Sequence, residues 1–216
     1  MAVYSQPTHF RSEWQVNASL NSNAEWEVEP EYVLMFNTCL GVCAGFGMRS
    51  EFDIDYNPVS EKTRPLGWYI STDNWRVRKL LIRPAMKIRF PILKEAQKPV
   101  LWFNMEPGLL FVPFPNETLT VTYSHSDLFS PGRYKKIHNH KGDILYGQIN
   151  NSISLDLDIF QLSLGYSISN YDLYGGRRNI VVDGASINSL IPKRHLTHSI
   201  FVSISSDFMT LKSLYK

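Results

Sequence analysis

Apolar residues recur at every second position along most of the chain, the period of a strand with two unlike faces, and helical periodicity is nearly absent. The first such run sets Phe10, Trp14, Val16, Ala18 and Leu20 against Arg11, Glu13, Gln15, Asn17 and Ser19. A second sets Trp26, Val28, Tyr32, Leu34 and Phe36 against Glu25, Glu27, Glu29 and Glu31. A third sets Leu40, Val42, Ala44, Phe46, Met48 and Phe52 against Gly41, Cys43, Gly45, Gly47, Arg49 and Glu51. In the fourth, Leu80, Ile82, Met86, Ile88 and Phe90 oppose Lys79, Arg83, Lys87 and Arg89. The fifth, Leu101 to Phe111, is the least regular. The sixth (Ile149 to Leu157), seventh (Phe160 to Ile168) and eighth (Ile200 to Phe208) alternate with serine, asparagine and glycine.

Eight strands of roughly ten residues follow from this pattern, and their connections alternate in length. Asn37-Thr38, LKEAQKP (93–99) and a tight turn near Asp158 are short. The segments at about 53–73, 113–143 and 171–196 are long, and the last carries the turn signals YGGRRN and DG. TLTVTY (118–123) reads as a hairpin arm that extends beyond the main body. Only the NSNA turn at 21–24 interrupts the alternation. Short turns at one end and long loops at the other are the layout of an outer-membrane barrel. The pattern therefore predicts one all-β domain over residues 1–216: an eight-stranded antiparallel up-and-down transmembrane barrel. Its strands lie within about 10–208, and its last strand pairs with its first.

Alternation alone leaves the wet face open, because a lipocalin-like soluble barrel alternates with its apolar side chains inside. Charge decides part of it. The row Glu25, Glu27, Glu29, Glu31 and the row Lys79, Arg83, Lys87, Arg89 have opposite signs, and buried charge is tolerable only when paired. The glycines Gly41, Gly45, Gly47 and Gly165 lie on the polar face, where a narrow interior needs room for long side chains. Aromatics cluster near strand ends, at Phe10, Trp26, Phe36, Phe52, Trp75, Phe90, Tyr171 and Phe208, as two girdles at lipid interfaces. These features place the charged rows in the lumen and the apolar faces in lipid. Phe201 breaks the rule: it falls on the polar face near the loop end, where it would plug the mouth.

Composition narrows the classes. Charged residues are 19% and aromatics 13% of 216 residues, and the net charge of +2 gives no nucleic-acid footprint. No apolar run is long enough for a transmembrane helix, which does not bear on strands. Cys39 and Cys43 share a strand and stand roughly 13 Å apart. A disulfide needs Cα atoms within about 7 Å, so free thiols are expected. The first ten residues, MAVYSQPTHF, show neither the basic nor the apolar region of a signal peptide.

The stretches EPEYVLMFNTCLGVCAGFGMRSEFD (29–53), FNMEPGLLFVPFP (103–115), LSLGYSISNYDLYGGRRN (162–179) and HSIFVSISSDF (198–208) resemble the small outer-membrane β-barrel proteins of Bacteroidota, with the architecture of OmpA/OmpX-type barrels. The resemblance spans nearly the whole chain and rests on architecture, not on catalytic motifs. It implies a place in a Gram-negative outer membrane and contact with outer-membrane lipids. It also implies insertion by the barrel assembly machinery, which reads a last strand ending in an aromatic; Phe208 matches, although MTLKSLYK (209–216) runs past it. Exported members carry a signal peptide, so the resemblance implies a processed or truncated sequence.

The expected role is structural or surface-interacting, through the long loops and without an open pore, cofactor or enzymatic activity. The rivals are a soluble lipocalin-like ligand carrier and a lipid-modifying outer-membrane enzyme. The enzyme would need a serine near a histidine, and Ser124, His125 and Ser126 are the candidates, although adjacent strand residues face opposite ways. His138 and His140 share a side but lack a third ligand at supporting spacing. Arg177 and Arg178 are candidate contacts for lipopolysaccharide phosphates, with a solvated turn as the plainer reading. The three Asn-X-Ser/Thr matches at Asn17, Asn116 and Asn150 are short enough to arise by chance.

Overall fold

The computed structural model describes residues 10–52, 67–70, 78–95, 98–123, 133–139, 141–157, 159–189, 191, 193 and 195–208. Eight strands form the barrel: β1 (Arg11–Asn21), β2 (Glu25–Met35), β3 (Leu40–Glu51), β5 (Arg78–Glu95), β6 (Lys98–Phe111), β9 (Leu145–Asp156), β10 (Gln161–Ser169) and β13 (Thr197–Asp207). Each pairs antiparallel with its barrel neighbours in sequence, and β13 closes on β1 through pairs such as Val16↔Ile204 and Ala18↔Val202. The predicted closed, eight-stranded, up-and-down barrel is thus the observed one.

The register fixes its dimensions. A hydrogen-bonded path leaves β1 at Glu13 and passes Val33, Cys43, Ala85, Gly108, Gln148, Ser169 and Thr197. It returns level with Asn23 in the turn after β1, whose Nδ2 donates to Thr197 Oγ1 at 3.0 Å, ten residues further along the chain than Glu13. With strands about 4.7 Å apart and about 3.3 Å per residue, that stagger sets a strand tilt of roughly 40° and a barrel radius of about 8 Å. Ten residues then climb about 25 Å, the height of an outer-membrane apolar band.

The faces divide as the glycine and charge pattern predicts. Leu155, Leu162 and Leu164 point outward, 40%, 44% and 62% exposed, while the alternate residues Ser154 and Ser163 are buried. That sidedness overturns the lipocalin-like alternative, which needs these leucines inside. Aromatic pairs cluster at the turn end of the outer surface: Phe10 edge-on to Phe36 (6.1 Å), Tyr32 beside Phe208 (5.9 Å), and Phe90 stacked on Phe103 (6.4 Å). At the loop end Tyr166 stacks on His198 (6.0 Å) and is hydrogen-bonded to it at 2.5 Å. Tyr171 corrects the girdle expectation. It follows β10 by two residues, turns inward and is 2% exposed. Trp75 lies outside the described residues.

Other features depart from the alternation. The connection expected at 93–99 is largely strand, because β5 and β6 continue as a hairpin below the last β3–β5 pair, Leu40↔Ile88. Cys39 and Cys43 are free thiols, the first exposed at the β2–β3 turn and the second buried. Phe201 does face the lumen, packed over Gly165, where a Cβ would occupy the position of its ring.

The long loops fold together. β4 (Trp68–Ile70), β7 (Thr118–Tyr123) and β8 (Tyr134–His138) make a three-stranded antiparallel sheet in the order β4-β7-β8. β11 (Val181–Val182) and β12 (Ala185–Ser186) make a hairpin, followed by a 3-10 turn at Ile187–Ser189. Its two loop residues, Asp183 (φ 46°) and Gly184 (φ 83°), both take the left-handed conformation of a two-residue turn, as the DG signal indicates. Trp68, Ile70, Leu119, Val121, Ile180, Val182, Ile187 and Ile191 form a buried cluster between sheet and hairpin. The loops therefore build a cap with its own apolar core.

Candidate functional site

The lumen is lined in two unlike halves. β1, β2, β3, β5 and β6 contribute buried charged or long polar side chains, whereas β9, β10 and β13 contribute mainly serines: Ser152, Ser154, Ser163, Ser167, Ser199, Ser203 and Ser205. A radius of about 8 Å leaves no space for long side chains on all walls, so small residues on one half accommodate long ones from the other. Gly45 does the same locally: a Cβ there would collide with the Glu29 carboxylate.

Glu25, Glu27, Glu29, Glu31, Lys79, Arg83, Lys87 and Arg89 all point into the lumen and are buried. Arg83, with no exposed surface, sits at the centre. Its Nε donates to Glu29 Oε1 at 2.8 Å, and its Nη2 meets both Glu31 and Glu106, the latter at 3.3 Å. Lys87 reaches Glu106 at 2.8 Å and donates to Gln15 Oε1 at 2.5 Å. Arg89 holds Glu13 with two donors, at 2.9 and 2.5 Å. Arg49 donates to Glu27 Oε2 from Nε and Nη2 at 2.9 and 2.5 Å. Glu25 accepts from Asn21 Nδ2 at 2.8 Å. The two rows thus meet directly only at Arg83. Glu13, Gln15, Asn17, Arg49 and Glu106 join the network, Asn17 donating to Glu31 at 2.8 Å; all but Glu106, which sits in the least regular strand, lie on predicted polar faces, and nothing local in the sequence assigns their partners.

Glu31, Cys43 and Glu106 bring three ligand-type atoms within 4.8 Å. Arg83 Nη2 already lies against both carboxylates and Lys87 against Glu106, so the place of a cation is taken by protein charge. Beside Phe201, a gap lined in part by Glu27, Glu29, Gln148 and Asn150 has room for about one water molecule.

The loop end is sealed in two layers. Leu81, Leu110, Val112, Tyr146, Tyr171 and Leu173 form an apolar plug across the mouth, with the Arg49 guanidinium 4.3 Å above the Tyr171 ring. Burial, with Glu25 nearby, pushes the Tyr171 phenol well above its usual pKa, so it stays neutral. Tyr174 packs against both the plug and the cap core. Glu117, from the segment before β7, bridges barrel and cap. It meets Lys79 of β5 at 2.6 Å and Arg177 at 2.5 Å. Arg178 pairs with Asp172. The arginines singled out for lipopolysaccharide phosphates therefore already hold carboxylates, and Arg177 is 2% exposed. In the cap, a hydrogen bond to Asp183 raises the Tyr123 phenol, and the same carboxylate lies 3.9 Å from Lys135.

Glu117→Gln is expected to loosen the cap by about 2–3 kcal/mol, because it leaves the buried Lys79 and Arg177 without their shared anion. Limited proteolysis should then cut the 113–143 segment faster while the barrel keeps its heat-modifiable migration. Equal cleavage rates would show that Glu117 does not hold the cap. Of the other candidates, Ser124, His125, Ser126 and His140 lie outside the described residues. His138 is exposed, with its Nδ1 2.7 Å from Thr118 Oγ1.

No protein-family model matches the chain, and no curated protein does. Among solved structures it is similar to a de novo designed transmembrane β-barrel, at 7% identity and TM-score 0.47, covering 94% of this chain and 98% of that one. It is similar to Neisserial surface protein A at 8% identity and TM-score 0.43, covering 92% and 96%. It is similar to Ail, the attachment invasion locus protein of Yersinia pestis, at 9% identity and TM-score 0.42, covering 92% and 98%. These likenesses carry no statement about ligand or activity.

Proposed function

We propose that this chain is an outer-membrane β-barrel protein of a Gram-negative envelope, with a structural or surface-interaction role presented by its cap and no open pore. The observation that carries the reading is the sidedness. Val16, Val28, Ile82, Ile153, Leu164, Val202 and their neighbours form an exposed apolar belt, whereas Arg83 and its carboxylates are sealed inside. Water would leave that belt as one large apolar patch, while a bilayer matches it. The filled lumen and the apolar plug support a closed barrel. The resemblance of residues 29–53 and 162–179 to small barrels of Bacteroidota extends the proposal to that group. Phe208, 42% exposed at the end of β13 and beside Tyr32, is the proposed assembly signal.

Thiol labelling tests both the membrane and the orientation. Lys136 is exposed in the cap, and the native Cys39 is exposed at the opposite end. In intact cells a membrane-impermeant maleimide should label Lys136→Cys and spare Cys39 until the envelope is permeabilised. Protein that stays in the soluble fraction without detergent, or the reverse labelling order, would overturn the proposal.

A further inference from the structure

The cap sheet has one face turned away from its core, and that face has an unusual chemistry. Trp68, Ile70, Leu119 and Val121 point into the apolar cluster and Ile137 packs against it, so the alternate residues point outward. Across the three strands, Tyr69, Thr122 and Tyr134 stand in one row. Thr120 pairs with Lys136 in the next row, and Thr118 with His138 in the last. Tyr134 is 72% exposed. Lys136 is exposed too and has no carboxylate partner among the described residues. Arg133, whose carbonyl accepts from the Tyr123 N–H just before β8, falls with Lys135 on the other side of the sheet.

From this face we infer a binding platform for an anionic polysaccharide supplied from outside the cell. Its surface offers two phenol rings about 10 Å apart across three strands, hydroxyls between them, and the Lys136 ammonium beside them. Aromatic rings give flat apolar surface for the C–H faces of sugar rings, and their hydroxyls remain free to hydrogen-bond. Threonine hydroxyls both donate and accept, as a hydroxyl-rich ligand requires. A protein partner would be expected to meet an apolar centre free of lysine. Here every aliphatic side chain of the sheet is committed to the core, and Lys136 lies within the face. Lys136 matches the carboxylates or sulfates of an acidic chain. Lys135 points to the opposite side, toward Asp183, and so serves as an internal control.

The inference rests on the surface reading above but fails separately from it. The full-length protein in detergent micelles is titrated with polygalacturonate, and with dextran as the neutral chain. Binding to polygalacturonate is expected, weakening as salt rises. Tyr134→Ala and Lys136→Gln should each weaken it by about fivefold or more, while Lys135→Gln leaves it unchanged. Heat-modifiable gel migration of each variant confirms an intact barrel. Equal binding of dextran, no effect of Tyr134→Ala, equal loss in Lys135→Gln, or binding only to lipopolysaccharide micelles would each overturn the platform. None of these would disturb the thiol-labelling result.

Discussion

Arg83→Glu is expected to abolish the folded barrel. Arg83 is completely buried and lies against Glu29, Glu31 and Glu106. Reversing its charge would put four carboxylates in one dry layer, where among the described residues Lys87 is the one remaining cation in contact, on Glu106, and Asn17 donates to Glu31. Even neutral removal, Arg83→Met, should cost about 3–5 kcal/mol, because the penalty is the uncompensated charge left behind. The measurement is the urea midpoint of heat-modifiable migration in detergent or lipid. A loss below about 1 kcal/mol for Arg83→Met would mean that the carboxylates are protonated or hydrated and do not depend on Arg83. A combined variant separates charge from shape. Arg83→Met with Glu29→Gln and Glu31→Gln should recover much of the lost stability, since Glu106 keeps Lys87 and the amides need no cation. Such non-additivity is the signature of a coupled network. Independent costs that simply sum would argue against it.

Leu164→Arg is expected to have the second large effect, and it probes the opposite face. Leu164 is 62% exposed near the middle of β10, between Ile153 of β9 and Val202 of β13. A soluble protein tolerates arginine at such an exposed site with little change. At the middle of a bilayer it costs about 2–4 kcal/mol. Refolding into vesicles should therefore be impaired for Leu164→Arg and nearly normal for the same change at Leu196, which is exposed at the loop end before β13. Indistinguishable behaviour of the two variants in vesicles would show that this belt does not sit in lipid. Together with Arg83→Glu, the pair tests one statement from both sides: outside this barrel charge is costly for lack of water, and inside it is costly for lack of a partner.

Much of the architecture is written locally. A period of two places every second residue on one face whatever the rest of the chain does, so β2, β3, β9, β10 and β13 were legible from their own residues. The glycines at 41, 45, 47 and 165 mark the crowded side, where a Cβ would meet Met35, Glu29, Glu27 and Phe201 respectively. Asp183-Gly184 marked its turn because few residues accept a left-handed backbone. The closing partnership of the first and last strands followed from an even strand count.

What the tertiary structure decided is who meets whom. Arg89 and Glu13 are 76 positions apart and meet only because the barrel closes with a ten-residue stagger. Shifting that register by two residues would leave every face unchanged and re-pair most of the lumen ions, so alternation cannot encode the pairing. The cap is the same case. Trp68, Leu119, Ile180 and Ile191 come from three loops, each too short and too irregular to bury an apolar surface alone, and they form a core only when the barrel holds the loop ends together. Tyr171 moved from an expected lipid girdle to the plug for that reason: the first residues of its loop turn inward over Arg49. The sequence by itself determined the strands, their sidedness and the closed sheet, because those depend on neighbours along the chain. The ion pairs, the sealed mouth and the exposed Tyr69–Thr122–Tyr134 row depend on closure, which brings distant residues into one cross-section.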